Sequence, residues 1–238
     1  VSRERLLAGD VVLLDGPEGH HAATVRRLTV GETVRLVDGS GLRVDGEVTA
    51  VRRDELTVLV HTRTEEAPPQ PRLVVVQALA KGDRGEHAVE GMSEVGVDEI
   101  VPWSAARSIV QWRDNKPLDR WRAKAREAAK QARRSWVPVI TDPASTTEVA
   151  DRLANATLAV VCHEGAVSPL TEATPPADGE IVLVVGPEGG LTDDELATFE
   201  KSGASAYSLG PSVLRTSTAG IVAAALLLSR TPRWKMGE

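Results

Sequence analysis

The sequence predicts an α/β fold, a mostly parallel sheet with helices on both faces, preceded by a small β-rich unit. Three observations carry this. From residue 72 onward, short continuous apolar runs alternate with segments of helical length and polarity. Before residue 65, several segments instead alternate apolar and polar residues with a period of two. Between them lies the Pro-rich segment 67–71, whose prolines cannot donate to a sheet and favour extended chain. The expected organisation is therefore a β-barrel over 1–66, a linker over 67–71 and an α/β domain over 72–238.

In the first unit, residues 11–15 (VVLLD) read as a short strand, and Pro17 opens a helix expected to run through Leu28. Residues 33–38, 42–51 and 55–62 are strands half-buried on one face, joined by turn signals at Asp38-Gly39-Ser40-Gly41 and Arg53-Asp54. Several short strands on tight turns suggest a small barrel. In the second unit, 72–79, 99–103, 137–140, 157–162, 180–186 and 206–210 read as strands. The run 72–79 is apolar without alternation, as expected of a strand covered on both faces. Helices are expected over 85–97, 117–135, 146–154, 193–202 and 215–229. The Thr192-Asp193-Asp194-Glu195 sequence has the form of a capping box that starts the fourth of these.

Composition narrows the function classes. No run of about 18 apolar residues occurs, so no helix is expected to span a membrane, and the first ten residues lack an apolar signal core. A single cysteine, Cys162, suits a reducing, cytoplasmic compartment. With five histidines and no zinc-type Cys/His spacing, no structural metal is expected. Net charge is −6, which taken as an average argues against a nucleic-acid partner. The average hides an asymmetry: residues 103–134 hold 10 Lys/Arg against 3 Asp/Glu, while 135–238 hold 6 against 13. A +7 segment in an acidic chain is either a solvated helix face or a surface that displaces counterions from an RNA backbone.

Two loops stand out. Gly186-Pro187-Glu188-Gly189-Gly190 lies between a buried strand and a capped helix, at the sheet's carboxyl edge, where ligands of open α/β sheets bind. It is neither a phosphate-binding P-loop nor the dinucleotide fingerprint, since Gly-Lys-Ser/Thr and G-x-G-x-x-G are both missing. The segment from Leu209 through Gly210, Ser212, Val213, Leu214, Arg215 and Thr218 to Ala219 likewise joins the last strand to the last helix. Cys162-His163-Glu164-Gly165-Ala166 is a candidate third wall. The expectation is one pocket lined by strand-end loops whose backbone groups read a ligand edge.

These segments, with 94–108 (EVGVDEIVPWSAARS), 130–140 (KQARRSWVPVI) and 20–28 (HHAATVRRL), resemble the RsmE family of SPOUT-class RNA methyltransferases. The resemblance runs almost the whole length. It implies a trefoil-knotted C-terminal domain binding S-adenosylmethionine, a PUA-like RNA-binding N-terminal barrel, a homodimer, and methylation of N3 of a uridine in 16S ribosomal RNA of the small subunit. Cofactor contacts are expected from His163, Glu164, Gly186, Pro187, Glu188, Gly189, Gly190, Leu209, Gly210, Ser212, Val213, Leu214, Thr218 and Ala219. RNA contacts are expected from His20, His21, Arg26, Arg27, Arg107, Arg133 and Arg134. Two positions depart from the family pattern: Ser217 and Lys130 stand where Glu is frequent, so no role of those acids carries over.

Methylating N3 of a uridine requires loss of a weakly acidic proton, stabilisation of the resulting charge and alignment with a sulfonium methyl. A sulfonium is electrophilic enough that no metal is required, so positioning and electrostatics are expected to dominate. Arg215 is the candidate for orienting the base and holding charge on its oxygen, or else a helix-start residue bonded to the loop backbone. Glu188 is a candidate acceptor, or a loop brace. Trp103, Trp112, Trp121 and Trp136 interleave the basic region, as base-stacking rings or as core. The competing readings are an RNA-binding assembly protein of this fold without methylation, and a metabolic enzyme holding a phosphate at the glycine loop. The second leaves the barrel and the basic helix unused.

Overall fold

The structure, a computed structural model, describes residues 1–234; the last four positions of the expected 72–238 domain lie outside the described residues. The chain divides into two compact units. The first comprises Val1–Pro68 together with Arg134–Trp136, and the second comprises Pro69–Arg133 and the chain from Val137 onward.

The first unit is an antiparallel sheet of β1 (Val11–Leu14), β2 (Thr33–Val37), β3 (Leu42–Arg52) and β4 (Glu55–Glu65), in the order β1-β4-β3-β2. Along β3 the apolar Leu42, Val44 and Val48 are buried, while Arg43, Asp45 and Glu47 between and beside them keep partial exposure, the period-two pattern the sequence predicts. Those residues, with Leu6 of the short helix α1 (Arg3–Leu7) and Leu56 and Val58 of β4, form the core of this unit.

The helix expected over 17–28 is shorter and uneven. It forms α2 (Gly16–His20), then widens into a π-helical turn, His21–Val25, with Arg26 N–H donating to His21 O at 2.8 Å. Arg27 adopts a left-handed conformation (φ 54°), and Leu28 N–H closes back on Ala22 O at 3.1 Å, which ends the helix.

The second unit is a six-stranded, wholly parallel sheet in the order β10-β8-β9-β5-β6-β7. Its strands are β5 (Arg72–Ala78), β6 (Glu99–Trp103), β7 (Val139–Ile140), β8 (Leu158–Cys162), β9 (Glu180–Val185) and β10 (Ser205–Tyr207). Its helices are α3 (Arg84–Val95), α4 (Lys116–Gln131), α5 (Thr146–Asn155), α6 (Asp193–Lys201) and α7 (Thr216–Leu228). Two cores explain the continuous apolar runs. Leu73 and Val75 of β5 and Ile181, Leu183 and Val185 of β9 pack under α3, α4 and α7. Val74, Val76, Val182 and Val184 face the opposite side, against α5 and α6. Strand side chains alternate between faces, so a sheet covered twice needs an apolar residue at every position.

Helix α4 stops at Gln131, not at 135 as the sequence suggests. Arg133 turns left-handed (φ 56°), and the three residues after it belong to the first unit. There Ser135 O accepts from Gly41 N–H at 3.1 Å, and the Trp136 indole N–H donates to Glu66 O at 3.3 Å. The Trp136 ring sits where a Gly41 Cβ would come within 2.6 Å of it, and Gly41 has φ 95°, so only glycine fits.

Candidate active site

The carboxyl ends of β8, β9 and β10 open into one cavity of about 400 Å³. All three loops singled out in the sequence line it. The first contributes Gly186, Pro187, Glu188 and Gly190. The second contributes Leu209, Gly210, Ser212, Val213, Leu214 and Arg215, with Ala219 from the first turn of α7. The third contributes His163 and Glu164. Two predicted contact residues, Gly189 and Thr218, are exposed and lie off the lining. Arg84, the first residue of α3, and Thr216, inside the second loop segment, line the cavity without having been named as contacts from the sequence.

Bonds made behind the lining set the shape of the glycine loop. Gln77, buried on β5, donates to the Thr216 hydroxyl at 3.0 Å, and that hydroxyl donates to Gly186 O at 2.8 Å. This relay ties three chain segments together at the cavity floor. Arg107 donates to Gly189 O at 3.3 Å and to Leu191 O at 2.9 Å, so its guanidinium clasps the outer side of the loop. Ala106 N–H donates to the buried Glu195 carboxylate at 2.8 Å. Glu195 also completes the capping box with Thr192, as the sequence predicts.

Glu188 accepts from Arg84 at 3.0 Å and from Lys81 N–H at 3.3 Å. Burial alone would raise its carboxyl, but bonds from its own backbone N–H, from Arg84 and from Lys81 outweigh that and hold it below the ordinary value. Its carboxylate is thus paired with Arg84 at the cavity lining. His163 Nδ1 accepts from Gly165 N–H at 3.2 Å, so that ring nitrogen is committed to the wall. Cys162 both packs on the core and lines the cavity, and burial pushes its thiol up to about 12. Arg215 is the residue before α7, extended (φ −64°, ψ 150°), exposed and without a side-chain capping bond, and it lines the cavity.

The predicted RNA-contact residues fall into separate groups. His20, His21, Arg26 and Arg27 share the α2 and π-turn segment of the first unit. His20 Nδ1 lies 2.7 Å from Asp54 Oδ1, and Arg26 and Arg27 are exposed. Arg133 is exposed in the second unit; Arg134 belongs to the first. Part of the basic charge of α4 is already neutralised: Arg120 pairs with Glu86 at 2.9 Å, Arg122 with Asp142 at 3.2 Å, and Lys124 with Glu90 at 3.7 Å. Arg113, Arg126 and Arg133 have no ion pair among the described residues.

Among the described residues, no group of three or more His, Cys, Asp or Glu could hold a metal ion, and no helix is long and apolar enough to cross a membrane.

Residues 67–228 match the model of an RNA methyltransferase domain, and residues 14–60 that of an RNA methyltransferase PUA domain. The chain is 42% identical to ribosomal RNA small subunit methyltransferase E of Mycobacterium bovis over 233 residues, 95% of this chain and 89% of that protein. The chain belongs to this family. The fold of the methyltransferase E family recurs in a Neisseria gonorrhoeae ribosomal RNA small subunit methyltransferase E solved bound to S-adenosyl methionine (TM-score 0.81, 26% identity, 93% of each chain). It recurs again in a Legionella pneumophila methyltransferase solved with bound SAM (TM-score 0.83, 27% identity, 94% of this chain and 93% of that one). Against this family background, Gln77 and Arg84 are the residues sequence reading passed over. Gln77 interrupts an apolar strand, a buried amide in a run of valines, and that polar break was the available signal.

Proposed function

We propose that this protein transfers a methyl group from S-adenosylmethionine to N3 of a uridine in the 16S ribosomal RNA of the small subunit, acting as a cytoplasmic homodimer. The observation that carries this reading is the convergence of three strand-end loops on one cavity, two of them glycine-bearing. The cavity fits the methyl donor. Its volume of about 400 Å³ is within the range of small-molecule sites. Gly210 has φ 116° and no heavy atom within 4 Å of an added Cβ, so its backbone lies open to a ligand. Exposed Glu164 places a carboxylate at the lining, suited to a cationic, amine-bearing ligand. The trefoil knot expected from the resemblance belongs to the same reading.

When bound, S-adenosylmethionine supplies an electrophilic methyl on a sulfonium. The chain's part is positioning and charge. The backbone of 209–214 would hold the cofactor's adenine, and the glycine loop is clasped by Arg107 and by the Arg84–Glu188 pair. Arg215 orients the uracil and stabilises charge on its oxygen as N3 loses its proton; a donor preorganised in this way is worth roughly 10²–10³ in rate. Arg26, Arg27, Arg133 and Arg134, with His20 and His21, contact the RNA, whereas Arg107 acts through the loop it holds.

The test is methylation of small ribosomal subunits taken from cells lacking the protein, with mass spectrometry of the RNA. Methyl donor and protein together should place one methyl on N3 of a single uridine, and Arg215→Ala should lower kcat about 100-fold while donor affinity stays within threefold. Donor binding without a methylated uridine would overturn the reading in favour of a non-methylating assembly protein.

A further inference from the structure

A second cavity, of about 410 Å³, is lined in part by the turn before α3. Gly82, Gly85 and Glu86 from that turn and the start of α3 form one wall, and Gln111, Trp112, Arg113 and Asp114 form another. Both walls belong to the second unit. Of the three other tryptophans that interleave the basic region, Trp121 also reaches this cavity but is almost fully buried. Trp103 and Trp121 are buried in the two cores, and Trp136 is packed on Gly41. Trp112 alone of these four is half-buried with part of its surface on a cavity.

The ring is held in place. Trp112 meets Trp121 edge to face, with centroids 5.0 Å apart and an interplanar angle of 88°. Trp121 in turn sits directly on α3, where a Cβ on Gly85 would come within 2.6 Å of its ring. A rigid indole beside open space is a stacking platform that needs no ordering on binding. The polar groups around it are unequal. Arg120 is engaged by Glu86 at 2.9 Å, and Asp114 accepts from Lys116 N–H at 3.0 Å. Arg113 is exposed and Gln111 is exposed, and neither has a side-chain partner among the described residues, so the Gln111 carbonyl and NH2 can read a base edge.

We propose that this second cavity receives one unstacked base of the RNA, stacked on Trp112, with Arg113 at the adjoining phosphate and Gln111 at the base edge. The proposal rests on the RNA-methyltransferase reading of the first cavity. Gly82 and Gly85 line this cavity and Arg84 lines the first, so one short stretch of chain borders both.

The test uses small ribosomal subunits from cells lacking the protein. Trp112→Ala should raise KM for subunits at least tenfold while leaving S-adenosylmethionine affinity, read by calorimetry, within twofold. Trp112→Phe should restore KM to within about threefold of the parent. An unchanged KM in Trp112→Ala overturns the cavity's role and leaves methylation standing. A wild-type protein that methylates no uridine overturns the underlying reading, and this one with it. Because Trp112→Ala removes a packed ring, a second measurement uses the intact protein: RNA carrying 5-iodouridine should photo-crosslink to the peptide containing Trp112. Cross-links to other peptides alone would equally overturn the proposal.

Discussion

Gly189 lies off the cavity lining, and a side chain there meets Arg107 rather than a ligand. A Cβ at Gly189 would come within 3.1 Å of Arg107 Cβ and 3.3 Å of its carbonyl oxygen. Gly189→Val therefore displaces Arg107 and its two bonds to the loop, and we expect cofactor affinity to fall at least tenfold in calorimetry, with the melting temperature little changed. An unaltered dissociation constant would count against the loop's role. Glu188 makes a complementary case. Its folded-state pKa is depressed, so its bonds add stability that is fully present above the ordinary value of 4.5 and lost as pH falls through the lower, folded value. Glu188→Gln should accordingly lower the melting temperature by a constant amount near neutrality, and the gap to wild type should close in acid. A gap that persists in strong acid would show that something other than the carboxylate charge is at work. Both residues were visible as part of a motif. Of their partners, Arg107 stood out only as an expected RNA contact and Arg84 not at all, since a motif shows which backbone is unusual but not what braces it.

At the scale of elements, α6 links helix capping to the site. Thr192 accepts from Glu195 N–H, and Glu195 accepts from Thr192 N–H and from Ala106 N–H. Losing a helix cap costs about 1 kcal/mol, and losing the part-buried bond from Ala106 N–H adds roughly 0.5–1.5 kcal/mol. Urea denaturation should thus find Glu195→Ala more damaging than Thr192→Ala, by about 1 kcal/mol. Equal effects would mean that the tie to Ala106 contributes nothing. The box itself was legible because capping is local, set by residues three apart. The end of α4 was not. The residues after Gln131 have ordinary helix formers among them, and the helix stops where Arg134–Trp136 find partners at Gly41 and Glu66, far away in sequence. A distant hydrogen bond overrides local propensity there.

For the whole molecule, the charge asymmetry is the relevant quantity. The +7 of residues 103–134 overstates what is free for RNA, because Glu86, Glu90 and Asp142, all outside that segment, neutralise three of its cations. If Arg113, Arg126 and Arg133 carry the phosphate contacts of this unit, replacing all three by Ala should reduce the slope of log K against log salt by roughly 2, at about 0.7 per contact on single-stranded RNA. A slope unchanged within error would place the RNA track elsewhere.

The sequence by itself determined the two-unit plan, the parallel sheet and the identity of the three loops, because patterning, turn residues and capping are set by neighbours along the chain. Covering on both faces leaves its mark in the same way, as an unbroken apolar run. Tertiary structure alone decided that the three loops share one cavity, that Glu188 is paired rather than free, that Arg107 grips the glycine loop, and that Trp112 stays half-buried on a cavity wall while Trp103 and Trp136 are packed elsewhere. Each of these depends on which residues from distant segments meet, and a linear pattern of polarity carries no record of that encounter.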